Sequence, residues 1–315
     1  MATTVTAQDL VRSPAVSEPV LRRPARSLWS DAWRQFRRHR LAMLGVLVFS
    51  TLILLTLVGP FVYRTPTDAI DYAQGLLGPS VAHPFGTDDL GRDLLARALT
   101  GGRVSMAVGV VAVLIAITLG TLIGSLAGFF GGQVDGLLMR LTDLFLALPQ
   151  LPLLLMTIYL FRDLLRKAFG PELGIFLLIV SVIGMLNWMP LARLVRAAFL
   201  SLKQKEFIEA ARCVGAKNSR LMLVHILPNT LSVVIVAATV GVGQAIITES
   251  ALSFLGLGFP PDVPTWGRLL YDAQNFLDLG PHWAIFPGLL IFLTVLSINY
   301  IGDGMRDALD PRKTH

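Results

Sequence analysis

The sequence predicts an all-α, polytopic membrane protein with six transmembrane helices and both termini in the cytoplasm. Three observations carry that expectation. Only 15% of the 315 residues are charged and 54% are hydrophobic, whereas about a quarter of a soluble domain is charged. The shortfall is concentrated in long uncharged runs, six of which reach or approach the roughly 20 residues a helix needs to cross the hydrocarbon core. These runs lack period-two alternation, and backbone groups in lipid must be satisfied internally, so helices follow and a barrel does not.

Residues 1–40 form a basic preface with eight arginines, ending Arg37-Arg38-His39-Arg40. Residues 1–27 are rich in Thr, Ser, Pro and Arg without periodicity and read as unstructured. Residues 28–40 read as an amphipathic helix with Trp29, Trp33 and Phe36 on one side, lying on the cytoplasmic lipid surface. The first span, 41–63, is an uncleaved anchor: it follows 40 basic-rich residues, is too long for a signal core and precedes no small-x-small cleavage site.

In the external segment 64–103, GTDDLGRD places Thr87 or Asp88 to cap a helix whose Leu90, Leu94, Leu95 and Leu99 rest on the membrane surface. Arg92 beside Asp88, Asp89 and Asp93 argues against a cation site there. The second span, 104–130, carries Gly120, Gly124 and Gly128 in one row, which lets another helix backbone come close. The third, 144–161, contains Pro149 and Pro152 and follows Arg140 and Asp143, spaced to pair on one helix face. The remaining spans are 173–192, about 229–257 and 283–302, before a tail at 303–315.

Lysine and arginine orient the bundle. With the N-terminus inside, the internal segments hold nineteen of the 27 basic residues and the external ones eight. Arg162, Arg166 and Lys167 are the discordant group, external in segment 162–172. The net charge of +6 therefore serves membrane orientation, not a nucleic-acid surface.

Composition and motifs exclude several activities. Cys213 is the one cysteine, so no internal disulfide forms, and the five histidines form no short metal-ligand spacing. There is no P-loop, nucleophile elbow or HExxH. Glu249 is the one ionisable residue deep in a span. Such a residue faces the bundle interior, a partner or water. It is read either as a hydrogen-bonded carboxylate near the outer end of its helix or as a pathway residue meeting a substrate's amino group. A secondary transporter needs coupling-ion sites beyond Glu249, and an intramembrane enzyme needs a catalytic pair that the spans lack.

The cytoplasmic segment RLVRAAFLSLKQKEFIEAARCVGAKNSRLMLVHILPN, residues 193–229, is unusually helix-compatible for a loop. Residues 200–214 contain no Gly or Pro, and Phe207, Ile208, Ala211 and Val214 fall at helical spacing on one face. Gly215 interrupts as a helix-ending glycine does. Apolar positions resume at Leu221, Met222, Val224 and Ile226 until Pro228 ends the unit. The expected object, within 200–228, is two short helices joined at a glycine elbow under the membrane. Ala210, Ala211 and Ala216 give it a low profile that another protein's groove could receive.

Glu209-Ala210-Ala211, Gly215 and Leu227-Pro228 resemble the EAA loop of binding-protein-dependent ABC importer permeases. His225 stands where the general pattern favours isoleucine, although HILPN resembles the peptide and nickel branch. HPFGTDDLGRD (83–93), FFGGQVDGLLMRLTDLFLALP (129–149), ESALSFLGLGFPPDVPTWG (249–267) and GDGMRDALDPR (302–312) are similar to the C-type subunit of dipeptide and oligopeptide importers. The resemblance implies the type I importer permease fold, with a permease core at 104–302, in a bacterial inner membrane. It implies that the chain binds no cofactor, ATP and Mg being held by one or two partner ATPase subunits. A second, related permease and an extracytoplasmic substrate-binding protein complete the expected assembly. The elbow at 209–216 would receive the ATPase's motion. The implied substrate is a di- or oligopeptide, with nickel, glutathione or another peptide-like solute as alternatives.

Overall fold

The computed structural model describes residues 28–309. The expectation for residues 1–27, the side chain of Trp29 and the tail from 310 onward lie outside the described residues. Helix α1 (Leu28–Arg38) leads into α2 (Arg40–Val62), whose first turn is capped by His39 Nδ1 accepting from the Ala42 amide at 3.1 Å. After the connecting segment come α3 (Leu94–Phe130), α4 (Gly132–Ala147), α5 (Gln150–Phe169), α6 (Pro171–Leu186) and α7 (Trp188–Lys203). Then follow α8 (Glu206–Cys213), a helical turn α9 (Asn218–Arg220), a π-helical stretch Leu221–Ile226 and α10 (Leu227–Phe254). Helices α11 (Trp266–Ala273) and α12 (His282–Leu309) end the described part, and no strand occurs among the described residues.

Among the described residues, four helical stretches are long and apolar enough to cross a membrane: Arg40–Val62, Leu94–Phe130, Asn218–Phe254 and His282–Leu309. Two bent pairs, α4 with α5 (87°) and α6 with α7 (40°), bring the number to six if each pair is one span.

The elements differ from the sequence reading where local chemistry overrode hydropathy. Pro149 drives Leu148 into an extended conformation (φ −77°, ψ 139°), so the third span breaks there and α5 continues to Phe169. Arg162, Arg166 and Lys167 are therefore helical, and the last two lie where a helix C-terminus favours positive charge. Gly170, at φ +86°, ends α5, and Pro171 opens α6. The helix of the second span, α3, begins at Leu94, not Val104, and its 37 residues run about 55 Å at 1.5 Å per residue, well beyond the hydrocarbon thickness. Its cap is Asp93, which accepts from the Ala96 amide at 2.8 Å. Thr87 and Asp88 instead fold the preceding loop: Asp88 accepts from the Leu90 and Arg92 amides, and the Thr87 hydroxyl serves Leu77 and Gln74. Asp143 pairs with Arg193 of α7, not with Arg140. Pro228 does not end the helical unit; it occupies the first turn of α10, where a missing N–H is tolerated.

The glycine row of α3 finds its partner within the chain. A Cβ at Gly124 would sit 2.4 Å from the Ala192 carbonyl oxygen, and at Gly120 and Gly128 it would sit 2.8 Å from the Trp188 and Arg196 carbonyls. Helices α3 and α7 thus touch backbone to backbone. Lys203 donates to the Phe129 carbonyl at 2.5 Å, and Arg196 grips Asp135 of α4 through Nε and Nη2 at 2.5 and 2.6 Å.

The two ends of the described chain meet on one side of the bundle. Phe36 packs in a cluster with Ala42 and Ala308, and Gln35 donates to the Asp307 carbonyl at 2.9 Å.

Candidate functional site

The segment 204–226 leaves the bundle as a knuckle on the side where α3 and α7 end. Lys205 is extended (φ −84°, ψ 145°), which turns the chain into the eight-residue α8. An isolated helix this short is marginal in water, so its order must come from packing and capping. Packing comes from Ile208, which is fully buried in a cluster with Phe129, Leu191, Val195, Phe199, Leu221, Ile226 and Val234. Capping comes from Gly215 at φ +87°. The Ala216 amide donates to the Ala211 carbonyl at 3.0 Å and the Gly215 amide to the Arg212 carbonyl at 2.9 Å. This pair of bonds is a Schellman motif, and the positive φ explains why glycine stands at the bend.

The opposite face of the knuckle is open. Glu209, Ala210 and Gly215 are exposed, Ala211 and Ala216 are half-buried, and a Cβ added at Gly215 would meet nothing within 4 Å. Leu227 is half-buried and Pro228 exposed, at the point where the knuckle rejoins the bundle. The structure divides the face expected from helical spacing. Ile208 and Ala211 turn inward, whereas Phe207 is 45% and Val214 90% exposed. Val214 lies past the last residue of α8, so helical spacing does not govern its direction. These two exposed apolar residues extend the open face beyond the alanines, and Cys213 is exposed beside them.

Above the knuckle is a cavity of about 680 Å³ walled by α3, α6, α7, α10 and α12. It is mostly apolar. Its polar side chains are Asn187, Ser232, Gln244 and Arg306. Asn187 sits at the 40° break between α6 and α7, where its amide is held by the Ile183 carbonyl and its side-chain oxygen accepts from Gln150 at 2.9 Å. Irregular backbone at membrane depth persists where it is buried in protein or lines a wet cavity. Leu191 belongs both to the cluster that seats Ile208 and to the cavity wall, and Ile117 and Ala237 link the two in the same way.

Glu249 is not on that wall. It is fully buried, accepting from Ser253 Oγ at 2.8 Å and from Ser105 Oγ at 3.3 Å. Ser105 in turn accepts from the Trp266 amide, and Trp266 Nε1 donates to the Ala98 carbonyl at 2.9 Å. The carboxyl thus joins α10 to α3 and, through Ser105, to the start of α11.

Residues 120–315 match the family described as binding-protein-dependent transport system inner membrane component, and residues 27–79 match the N-terminal transmembrane domain of oligopeptide transport permease C. The chain is 44% identical to the oligopeptide transport system permease protein OppC of Escherichia coli K12, over 91% of this chain and 92% of that protein. It is 39% identical to the dipeptide transport system permease protein DppC of Alkalihalophilus pseudofirmus, over 91% and 90%. It is 42% identical to the glutathione transport system permease protein GsiD of Escherichia coli strain 536, over 91% of each. Among solved structures, an inward-facing MetNI methionine ABC transporter shares the fold, with a TM-score of 0.52 and 19% identity over 67% of this chain and 94% of that one. The fold, the family match over more than half its length and the relatives aligned nearly end to end agree: the chain belongs to the binding-protein-dependent transport system inner membrane components, the multi-pass membrane subunits of ABC importers.

Proposed function

We propose that this chain is one of two permease subunits of an ATP-driven importer of di- and oligopeptides, coupled to its ATPase through the knuckle at 204–226. The observation that carries the proposal is the geometry of α8. One face is pinned by fully buried Ile208, and the other presents Ala210, Val214 and Gly215 with open space around them. Such an element transmits a push better than it makes a fold. The shared residues Leu191, Ile117 and Ala237 give displacement of α8 a short packed route to the cavity wall. The cavity is this chain's half of the translocation path, the other half coming from a related permease. The basic-residue balance supports a cytoplasmic position for the knuckle and both termini. ATP and Mg belong to the ATPase subunits, and an external binding protein delivers the solute. Peptides are the substrate because relatives named for dipeptides and oligopeptides align over nine-tenths of the chain. The relative named for glutathione supports a tripeptide-sized solute as the second reading.

The test substitutes Gly215→Asn and Gly215→Trp. Asparagine tolerates positive φ better than other side-chain-bearing residues, so it adds bulk at modest backbone cost. Gly78→Asn is the control for added bulk, since Gly78 has no positive φ and a Cβ added there would meet nothing within 4 Å. Co-purification of the ATPase and peptide uptake should fall for the Gly215 variants and survive in the control. Assembly and transport untouched in Gly215→Trp would remove the coupling role.

A further inference from the structure

The cavity carries one charged side chain among the described residues that line it, and that charge is positive. Arg306 lies in the last turns of α12 and is exposed, facing the cavity with Leu309 from the same helix and Ser232 and Val233 from the knuckle end of α10. Farther in, the wall offers the uncharged amides of Gln244, itself exposed, and Asn187, held at the helix break. The described lining contains no carboxylate, imidazole or thiol.

Resting on the proposed transport function, we propose that Arg306 makes this half of the path selective for solutes bearing a free carboxylate. The amide of Gln244 serves the peptide groups behind that carboxylate, while that of Asn187 stays bound to Ile183 and Gln150. The chemistry is consistent at each position. Apolar walls impose no charge requirement on a side chain in transit. Primary amides donate to and accept from a peptide bond without holding it as an ion pair would. A guanidinium recognises a carboxylate through paired N–H donors and keeps its charge at any physiological pH. A bare divalent metal ion would meet a like charge and no soft or anionic ligand on this wall. Arg306 thus narrows the substrate class on electrostatic grounds, independently of what an external binding protein selects.

The field of the cavity is measurable without knowing the substrate. In the fully assembled transporter carrying Cys213→Ser and Gln244→Cys, the rate of thiol modification is followed with two methanethiosulfonates, one bearing a sulfonate and one a trimethylammonium group. A cavity of about 680 Å³ is roughly 11 Å across if taken as a sphere. With that width taken as the separation and an effective dielectric of about 40, one positive charge favours the anionic over the cationic reagent by about tenfold, after correction for their rates with a free thiol. The preference should shrink at high salt, collapse in Arg306→Gln and persist in Arg306→Lys. Equal rates in the Arg306 protein at low salt would overturn the proposal, as would a preference that survives Arg306→Gln. No labelling of Gln244→Cys by either reagent would also overturn it, because the cavity would then not be an aqueous route. The Gly215 result would stand unaffected in each case, so the failure of this inference and the failure of the coupling reading remain distinguishable.

Discussion

Replacing Ile208 with alanine should uncouple the transporter while leaving its membrane bundle intact. Ile208 is the one fully buried side chain of α8. Truncating a buried isoleucine to alanine costs about 2–5 kcal/mol. A two-turn helix has little stability of its own to set against that loss. Because α8 projects from the bundle, the cost falls on local docking before global unfolding. A loss of about 2.8 kcal/mol, inside that range, raises the undocked population of the knuckle roughly a hundredfold. In proteoliposomes containing the complete importer, peptide imported per ATP hydrolysed should drop sharply. Trypsin should cut faster at Lys205, Arg212 and Lys217, the basic residues that flank and end the helix. Ile208→Val, at about 0.5–1.5 kcal/mol, should give a small effect in the same direction. An unchanged transport ratio in Ile208→Ala, with unchanged trypsin cleavage and full assembly, would refute the idea that this side chain seats the coupling element.

Other perturbations test the surrounding structure. Gly124→Leu places a side chain where even a Cβ would stand 2.4 Å from the Ala192 carbonyl; it should lower the melting temperature in detergent by several degrees, whereas Gly136→Leu, in open space, should not. Glu249→Leu takes the acceptor from the Ser105 and Ser253 hydroxyls, at about 1–3 kcal/mol for a buried donor left unpaired, and should melt lower than Glu249→Gln, which keeps a hydrogen-bonding side chain there. Uptake of free-amine peptides should survive Glu249→Gln; its loss with normal expression would make Glu249 a pathway residue. Asp93→Ala removes the cap of α3 together with the partner of Tyr63 and His83, both at 2.7 Å, and should cost more than the ~1 kcal/mol of an ordinary N-cap, read from the same melting curves.

Much of the membrane architecture was legible because span length and basic-residue bias are linear signals. The six apolar runs, the glycine row of α3 and the glycine elbow at Gly215 each declare themselves within a few dozen residues. What escaped depends on contacts across the chain or on competition between neighbouring local signals. The 87° turn at Leu148 is invisible to hydropathy because both flanking segments are apolar; Pro149 is the cue. Asp93, not Thr87 or Asp88, caps α3 because the two earlier side chains are consumed by their own loop. Asp143 chose Arg193, fifty residues away, over Arg140 on its own helix. The cavity could not be read at all. Asn187 comes from the break between α6 and α7, Gln244 from α10 and Arg306 from α12, and they share no motif.

These particulars suggest how a displacement at α8 becomes a change in the path. Backbone contact at Gly120, Gly124 and Gly128 leaves α3 and α7 little room to slide, so the two should move as one body. Two irregularities adjoin the route from α8 to the cavity: the break at Asn187 above α7, and the π-helical stretch Leu221–Ile226 below α10. Both adjoin the cavity or the cluster that seats Ile208. A pull on α8 that rotates the α3–α7 pair about Asn187 would shift Leu191, which lies in cluster and wall alike. Stiffening that break is therefore the informative perturbation. Asn187→Ala removes the hydrogen bonds to Gln150 and Ile183 and supplies the best helix former. It should leave ATPase binding intact yet lower import per ATP. If import per ATP holds at its original value, the α6–α7 break is a fixed bend and not a hinge.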